Sequence, residues 1–139
     1  MTKEVGAAPL CLCEELDNGV FQFTFKDEGH AAVNEWTNHI ERLQLDGKWY
    51  GRDKVYLMLD TRESGQLPLR YLFECLGDYN REYPRLVPPQ VRLAYLYPAS
   101  FTMLDVFKLF ATLLPVPTVA EFFQEDAYQD AMNWLLADR

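Results

Sequence analysis

The residues from Val55 to Arg62 read Val-Tyr-Leu-Met-Leu-Asp-Thr-Arg, and the rest of the predicted fold is arranged around them. The first five are apolar and do not alternate with polar residues, which is typical of a strand covered on both faces. The apolar run ends abruptly, and a helical pattern follows. Open α/β sheets place their binding sites where buried strands end in this way. We therefore predict a strand-end polar cluster formed by Asp60, Thr61, Arg62, Ser64 and, after the next strand, Ser100.

The composition is that of an ordinary globular chain of 139 residues, which predicts one domain. We divide the chain into a flexible tail, 1–9, and a single domain, 10–139. The formal net charge of -8 argues against binding to nucleic acid, whose phosphates attract Lys and Arg, and against anionic membranes. The N-terminal residues lack a signal-peptide pattern, and charges and prolines interrupt the apolar run at 101–119. We expect a cytoplasmic protein without membrane insertion.

The order of apolar patterns predicts an α/β fold in which an N-terminal β-hairpin precedes alternating helices and strands. Asn18-Gly19 supplies the positive backbone angles of a tight hairpin turn. Asp27 and Ser100 are the expected caps of the first and third helices. Strands are predicted at 10–16, 20–25, 55–59, 91–97 and 118–123, and helices at 29–43, 69–83, 101–114 and about 125–136. Together they predict a single-domain open mixed sheet of about five strands.

The cysteines and histidines offer little metal or redox chemistry. Cys11 and Cys13 are two residues apart, so on a strand they share one face, and no second pair completes a zinc site. Reduced structural thiols, Cys75 included, fit a cytoplasmic protein. His30 and His39 are nine residues apart, which does not place two ligands on one helix face. We expect no metal and no cofactor.

Acidic residues at strand ends allow a comparison with a phosphoacceptor enzyme built around Asp60. Such a site balances its acids with magnesium and with a lysine after the last strand. This chain has Phe-Phe-Gln-Glu-Asp at 122–126 instead. Capping by Asp27 and backbone hydrogen bonds to Asp60 explain the same acids without catalysis. We predict no catalytic residues and keep the phosphoacceptor as a third hypothesis.

The third predicted helix, 101–114, is apolar around most of its circumference. Asp105, Lys108 and Thr112 share one narrow face, whereas a helix on a small sheet buries only one side. The remaining apolar surface therefore needs a cover. A second subunit, a partner protein, an apolar ligand or the adjacent chain around Pro115–Pro117 could each provide it. The candidate surface comprises Phe101, Leu104, Val106, Phe107, Leu109, Phe110 and Leu113.

Three stretches of the sequence carry a family resemblance. They are Leu-Asp-Thr-Arg at 59–62, Arg-Leu-Ala-Tyr-Leu-Tyr at 92–97, and Ala-Glu-Phe-Phe at 120–123 followed by Ala-Met-Asn-Trp-Leu at 131–135. In these stretches the chain resembles the SpoIIAA-like group, which is related to STAS domains and, more distantly, to CRAL-TRIO lipid-transfer domains. The resemblance covers about residues 16–136.

The resemblance implies a non-enzymatic domain that works by binding. In signalling members of the family, a partner kinase phosphorylates a serine in an Asp-Ser-Ser-Gly setting at a helix start, and the added charge releases the partner. The nearest match here is Ser64-Gly65 after Arg62-Glu63, so that setting is not reproduced. We expect a regulatory or interaction module of the SpoIIAA/STAS-like type that pairs with itself as a homodimer or with another protein. A carrier of a small apolar, lipid-like ligand is the alternative.

Overall fold

The computed structural model describes residues 8–45, 48–49, 52–85, 89–102, 104–111 and 118–138, with the backbone alone at 110 and 111. The helices and strands follow the predicted order, which confirms the hairpin and the alternation after it. No helix in these ranges is long and apolar enough to cross a membrane. The elements are β1 (Cys11–Glu15), β2 (Phe21–Phe25), α1 (His30–Leu45), β3 (Lys54–Asp60), α2 (Leu69–Glu82), β4 (Gln90–Tyr97), α3 (Leu104–Ala111), β5 (Thr118–Gln124) and α4 (Tyr128–Leu136).

The five strands form one sheet in the order β1-β2-β3-β4-β5. β1 pairs antiparallel with β2, and the other neighbouring strands are parallel. Gly19 has a φ of 90° in the hairpin turn, and Asn18 Oδ1 accepts a hydrogen bond from the Val20 amide at 3.0 Å. The predicted α/β fold with an open mixed sheet of about five strands is confirmed, with β3 at the centre of the sheet.

Helices cover both faces of the sheet in unequal numbers. Because the strand order follows the chain order and crossovers are right-handed, α1, α2 and α3 lie on one face, called here the three-helix face. α4 covers the other, the α4 face, where Met132 and Leu135 belong to one apolar cluster with Met58. Along β3, Leu57 and Leu59 face the three helices and Met58 faces α4. The central strand is therefore covered on both sides, as its sequence predicts.

The core of the three-helix face is built on the aromatic side of β2. Phe21, Phe23 and Phe25 are buried, as their alternation with polar residues predicts. Trp36 of α1 packs edge-on against Phe23, with ring centroids 6.4 Å apart. Each buried side chain of this size stabilises the fold by about 1.5–3 kcal/mol. These contacts fix α1 over the hairpin side of the sheet.

The start of α3 differs from the prediction. The helix begins at Leu104 rather than at Phe101, so the prediction that Ser100 caps it is wrong. The Phe101 amide donates instead to the Pro98 carbonyl at 3.0 Å, which closes a turn before the helix. The predicted end of this helix, including Leu113, lies outside the described residues.

Two other helix starts are shifted by a few residues. Asp27 Oδ2 accepts a hydrogen bond from the Gly29 amide at 2.9 Å, and α1 begins one residue later. The acidic pair at 125–126 forms a turn, and α4 begins after it at Tyr128. Asp27 and the acidic pair at 125–126 therefore lie in the turns that precede α1 and α4.

Candidate functional site

The predicted polar cluster lies where β3 ends, and its central contact is an ion pair. Asp60 is 5% exposed. Arg62 donates from Nε to Asp60 Oδ1 at 2.9 Å and from Nη2 to Oδ2 at 2.8 Å, and its backbone amide donates to Oδ1 at 3.1 Å. The hydrogen bond to Asp60 raises the pKa of Arg62, so the guanidinium stays charged. Both carboxylate oxygens are engaged by a single neighbouring residue.

Thr61 and Ser64 form a tight turn beside this ion pair. The buried Thr61 hydroxyl donates to the Leu96 carbonyl at 2.6 Å. Ser64 Oγ donates to the carbonyls of Thr61 and Gly65, at 3.4 and 3.2 Å. Gly65 has a φ of 83°, a backbone conformation that favours glycine. The structure thus brings four of the five predicted residues together, and their hydrogen bonds hold the turn.

The fifth predicted residue, Ser100, lies in the exposed turn after β4. Arg62 extends the cluster toward α4, with its guanidinium carbon 5.2 Å from the Tyr128 ring centre and Nη1 donating to the Glu125 carbonyl at 3.3 Å. Among the described residues, no three or more His, Cys, Asp or Glu side chains are arranged to hold a metal ion. The chemistry of this edge is that of a closed, hydrogen-bonded turn.

The three-helix face contains an apolar cavity of about 140 Å³ between the sheet and α2. Leu57 of β3 and Leu93 of β4 form its floor, and Trp36 of α1 lies at one side. Leu72 and Leu76 of α2 lie over it. Apolar cavities of this size hold small apolar molecules.

The backbone of α2 lies closer to α1 than to the strands, and its apolar side chains, Leu72 among them, reach across this space to the core of the sheet. Near the start of α2, Tyr71 stacks on His30 with ring centroids 3.8 Å apart. Just past its end, the Tyr83 hydroxyl donates to Glu41 Oε2 at 2.6 Å. Of the α2 residues, all of which are described, only Leu72 is buried. The helix is therefore held from the side, and space remains beneath it.

One end of the cavity is polar. β2 to β5 are parallel, so α1 and α2 run back along them and both end at the amino edge of the sheet. Gln44 of α1 and Tyr79 and Asn80 of α2 line the cavity there. Gln44 is 7% exposed and accepts a hydrogen bond from the Tyr79 hydroxyl. Burial, with smaller contributions from Tyr83 and Glu41, raises the pKa of Tyr79 to about 12.

The opposite end of the cavity is apolar and joins a groove between the start of α2 and α3. The groove has a volume of about 980 Å³. Leu69, Phe73 and Phe107 line both the groove and the cavity, so the two spaces are contiguous. The groove is therefore the expected entrance to the cavity.

The predicted α3 surface contributes to the cavity through Phe107. This side chain is buried in the cavity wall, with its ring centroid 5.7 Å from that of Tyr95. Phe101, which precedes the helix, packs edge-on against Phe107 with ring centroids 4.8 Å apart. These aromatic contacts attach α3 to the sheet at the apolar end of the cavity.

The other predicted α3 residues lie farther out. Leu104 and Val106 are half-buried, and Val106 lines the groove. Leu109 is 62% exposed. The side chain of Phe110 and the whole of Leu113 lie outside the described residues. The described part of the helix therefore presents apolar surface both inward and outward.

Comparisons with known proteins do not assign a function to this chain. Comparison with protein-family models, with characterised proteins and with solved structures finds no match. The resemblance to the SpoIIAA-like group therefore stays a prediction, and the geometry of the cavity is the basis for the function proposed below.

Three buried polar groups in the cavity walls have no hydrogen-bond partner among the described residues: Trp36 Nε1, Trp49 Nε1 and the Tyr95 hydroxyl. Burial raises the pKa of Tyr95, and the nearby Thr61 hydroxyl opposes the rise. Thr61 donates its proton to the Leu96 carbonyl, and the geometry of the two hydroxyls is not that of a hydrogen bond. An unpaired buried group costs about 1–3 kcal/mol, so packing on this face is not arranged for stability alone.

Sequence reasoning missed the α2 side of the cavity and its polar end. The apolar stripe of α2 correctly predicts that Leu72 and Leu76 face inward, but not that space lies beneath them. The position of Gln44 could have indicated the polar end of the cavity. It lies four residues after the buried Ile40, so this amide occupies the next position on the inward-facing side of α1.

Proposed function

We propose that this protein binds a small apolar molecule in the cavity beneath α2 and acts as a carrier rather than as an enzyme. The observation behind the proposal is the apolar cavity of about 140 Å³ and its contact with the groove. An empty cavity lowers stability by about 24 cal/mol per Å³, or about 3 kcal/mol for a volume of 140 Å³. A bound molecule recovers part of this loss through dispersion contacts.

The cavity volume limits the size of the bound molecule. An apolar cavity of roughly 150 Å³ holds benzene. The 140 Å³ cavity therefore suits a ring-sized compound of about six to nine non-hydrogen atoms, and a longer molecule would extend into the groove. Compounds of this size bind with dissociation constants of roughly micromolar to millimolar.

Thermal unfolding in the presence of toluene tests the proposal. We expect toluene to raise the melting temperature of the wild type, because a ligand that binds only the folded state stabilises it. Leu76→Trp places a larger side chain in the cavity and should abolish the increase. Leu12→Trp, at an exposed position of β1, is the matched control and should preserve it. An unchanged wild-type melting temperature, or an equal increase for Leu76→Trp, would contradict the proposal.

A second candidate function is protein interaction through the outer side of α3, where Leu109 is 62% exposed. We propose that a second copy of the chain covers this side, because the described part of α3 presents apolar surface outward. Light scattering should give a dimer mass for the wild type and a monomer mass for Leu109→Glu. Leu45→Glu, at an exposed position that ends α1, is the control and should remain dimeric. A monodisperse wild-type monomer would exclude the homodimer.

The proposal includes a cytoplasmic location and no nucleic-acid partner. Cys11, Cys13 and Cys75 are free thiols, which is typical of a reducing compartment. Burial, together with the nearby Cys13 and Glu35, raises the pKa of Cys11 to about 12, so its thiol is unreactive. The net charge of -8 supports the absence of nucleic-acid binding. Cell fractionation checks the location, and recovery in a membrane or secreted fraction would contradict it.

A further inference from the structure

We infer that two copies of this protein pair through the outer edge of β5, so that their two sheets continue into one. The inference rests on the second candidate function, the homodimer, and names the strand that joins the copies. An edge strand has backbone N–H and C=O groups that no neighbouring strand satisfies, and another strand is the partner that fits them. Two observations select β5: how the two sheet edges are protected, and where the exposed apolar side chains lie.

The β1 edge of the sheet is closed by side chains of α1. Glu35 Oε1 accepts hydrogen bonds from the amides of Leu10 and Cys11 at 2.8 and 3.0 Å. His39 Nε2 donates to the Cys11 carbonyl at 2.9 Å, since a carbonyl oxygen can only accept. The strand has five residues and ends in two glutamates. Short length, charge and capping side chains protect this edge against pairing with another chain.

The β5 edge lacks most of this protection. β5 has seven residues and pairs with β4 on one side, and within the described ranges no strand pairs with its other side. The strand contains no proline, and Glu121 is its single charged residue. A long edge strand with few charges is a template for a further strand. A second copy of β5, running antiparallel, offers the complementary N–H and C=O groups.

Exposed apolar side chains flank the β5 edge on both faces of the sheet. Leu109 and Val119 are the most exposed of the large apolar side chains among the described residues, at 62% and 59%. α3, which carries Leu109, comes close to β5 on the three-helix face. Ala120 packs against the core of that face, so alternation along the strand places Val119 on the α4 face. A copy joined at β5 covers apolar surface on both faces, which a partner bound to α3 alone does not.

The charge on β5 selects a pairing centred on Ala120. A dimer with a twofold axis between antiparallel strands places one residue opposite itself. A centre on Glu121 would bring two carboxylates face to face, and like charges directly opposite each other are unfavourable. A centre on Phe122 would leave Val119 outside the paired residues. Centred on Ala120, the pairing places Val119 of each copy opposite Glu121 of the other and makes the two valines diagonal neighbours.

Opposite charge changes at Val119 test the inference. Sedimentation equilibrium gives the dimer dissociation constants of Val119→Glu and Val119→Lys, which both replace an exposed side chain. Val119→Glu places a carboxylate opposite Glu121 of the other copy, whereas Val119→Lys places an ammonium group there. Because the twofold axis creates this contact twice, we expect the dimer of Val119→Lys to be at least about tenfold tighter than that of Val119→Glu.

The same two changes at Leu12 are the matched control. Leu12 lies on β1 and is 40% exposed, and its replacement by Glu or Lys alters the net charge of the chain by the same amounts. At physiological salt the β1 edge is screened from a copy bound at β5, so the two Leu12 variants should differ by less than about threefold. An equal, large difference at both positions would mean that net charge alone governs association, which would overturn the inference.

Further outcomes separate this inference from the homodimer itself. Val119→Glu combined with Glu121→Lys reverses the opposed charges and should restore the affinity that Val119→Glu loses. If the wild type is dimeric and Leu109→Glu is monomeric, but the two Val119 variants dimerise equally tightly, the copies meet through α3 alone and only the inference is overturned. A monodisperse wild-type monomer overturns both the inference and the homodimer.

Discussion

The two faces of the sheet differ in how completely they are packed. On the α4 face, one helix meets the strands closely, and Met58, Leu96 and Leu135 are all 0% exposed. On the other face, three helices leave a cavity of about 140 Å³. The backbone of α4 comes close to β3, β4 and β5, whereas the backbone of α2 comes close to α1 and only its side chains reach the sheet. The space available for a ligand therefore depends on which neighbour supports a helix, and not on how many helices cover the face.

Polar contacts reinforce the difference between the two faces. On the α4 face, Arg92 of β4 donates from Nη2 to the Trp134 carbonyl at 2.7 Å, and its guanidinium carbon lies 3.8 Å from the Trp134 ring centre. This contact ties the helix to the sheet itself. On the three-helix face, the corresponding contacts of α2, such as Tyr71 on His30, tie one helix to another. The contacts of α2 with α1 therefore hold the helix from its side.

Replacement of one leucine by alanine on each face should give the largest change in the free energy of unfolding. We expect Leu135→Ala to lower the free energy of unfolding by about 4 kcal/mol and Leu72→Ala by about 2 kcal/mol. Leu135 is fully buried, so its removal opens a new cavity, whereas Leu72 already borders empty space and has fewer contacts to lose. Urea denaturation of both variants measures the two losses. Equal losses would show that the faces are packed alike.

A larger side chain should lower the free energy of unfolding on the α4 face and have little effect on it on the three-helix face. Ala131→Leu on the α4 face should cost about 2 kcal/mol, because the added atoms have no space. Leu76→Phe fills part of the cavity and should change the free energy of unfolding by less than about 0.5 kcal/mol or increase it. Thermal and urea unfolding of the two variants provide the measurement. A large loss for Leu76→Phe would mean that the cavity is not available in solution.

Deprotonation of Tyr79 at alkaline pH should give the smallest change in the free energy of unfolding. Its pKa is raised to about 12, mainly by burial, whereas a tyrosine in an unfolded chain titrates near 10. The unfolded state therefore loses this proton first, and the free energy of unfolding falls as the pH rises from about 10 to about 12. After allowance for solvent screening, Tyr79→Phe should remove about 1 kcal/mol of this loss.

A tyrosine on the α4 face provides the control for this effect. Burial raises the pKa of Tyr128, but the charge of Arg62 opposes the rise. Tyr128→Phe should therefore change the alkaline dependence less than Tyr79→Phe does. Urea unfolding at a series of pH values gives both slopes. The assignment to Tyr79 fails if its replacement leaves the alkaline slope as it is in the wild type.

Most of the fold could be predicted because its signals are local. The apolar run 55–59, the Asn18-Gly19 turn and the alternating phenylalanines of β2 each determine one element through neighbouring residues. The predicted start of α3 at Phe101 was wrong, and the reason is also local. The Phe101 amide donates to the Pro98 carbonyl and closes a turn where Ser100 was expected to cap the helix. The helix therefore begins only at Leu104.

The candidate site was harder to predict because it depends on distances between elements. Periodicity places Leu72 on the inner side of α2, but the space beneath it depends on contacts between α1 and α2, which are distant in sequence. The strand pattern correctly predicts that Asp60 lies where β3 ends. The hydrogen bonds from Arg62 to both carboxylate oxygens of Asp60 depend on side-chain geometry, which cannot be read from the order of residues.

The most direct test of a cavity on one face is a crystal of the protein pressurised with xenon. Xenon occupies apolar cavities of about this size. The difference in packing between the faces predicts a strong xenon site between α2 and the sheet, beside Leu57, Leu72 and Leu93, and none beneath α4. A three-helix face without xenon, or a stronger site beneath α4, would contradict it.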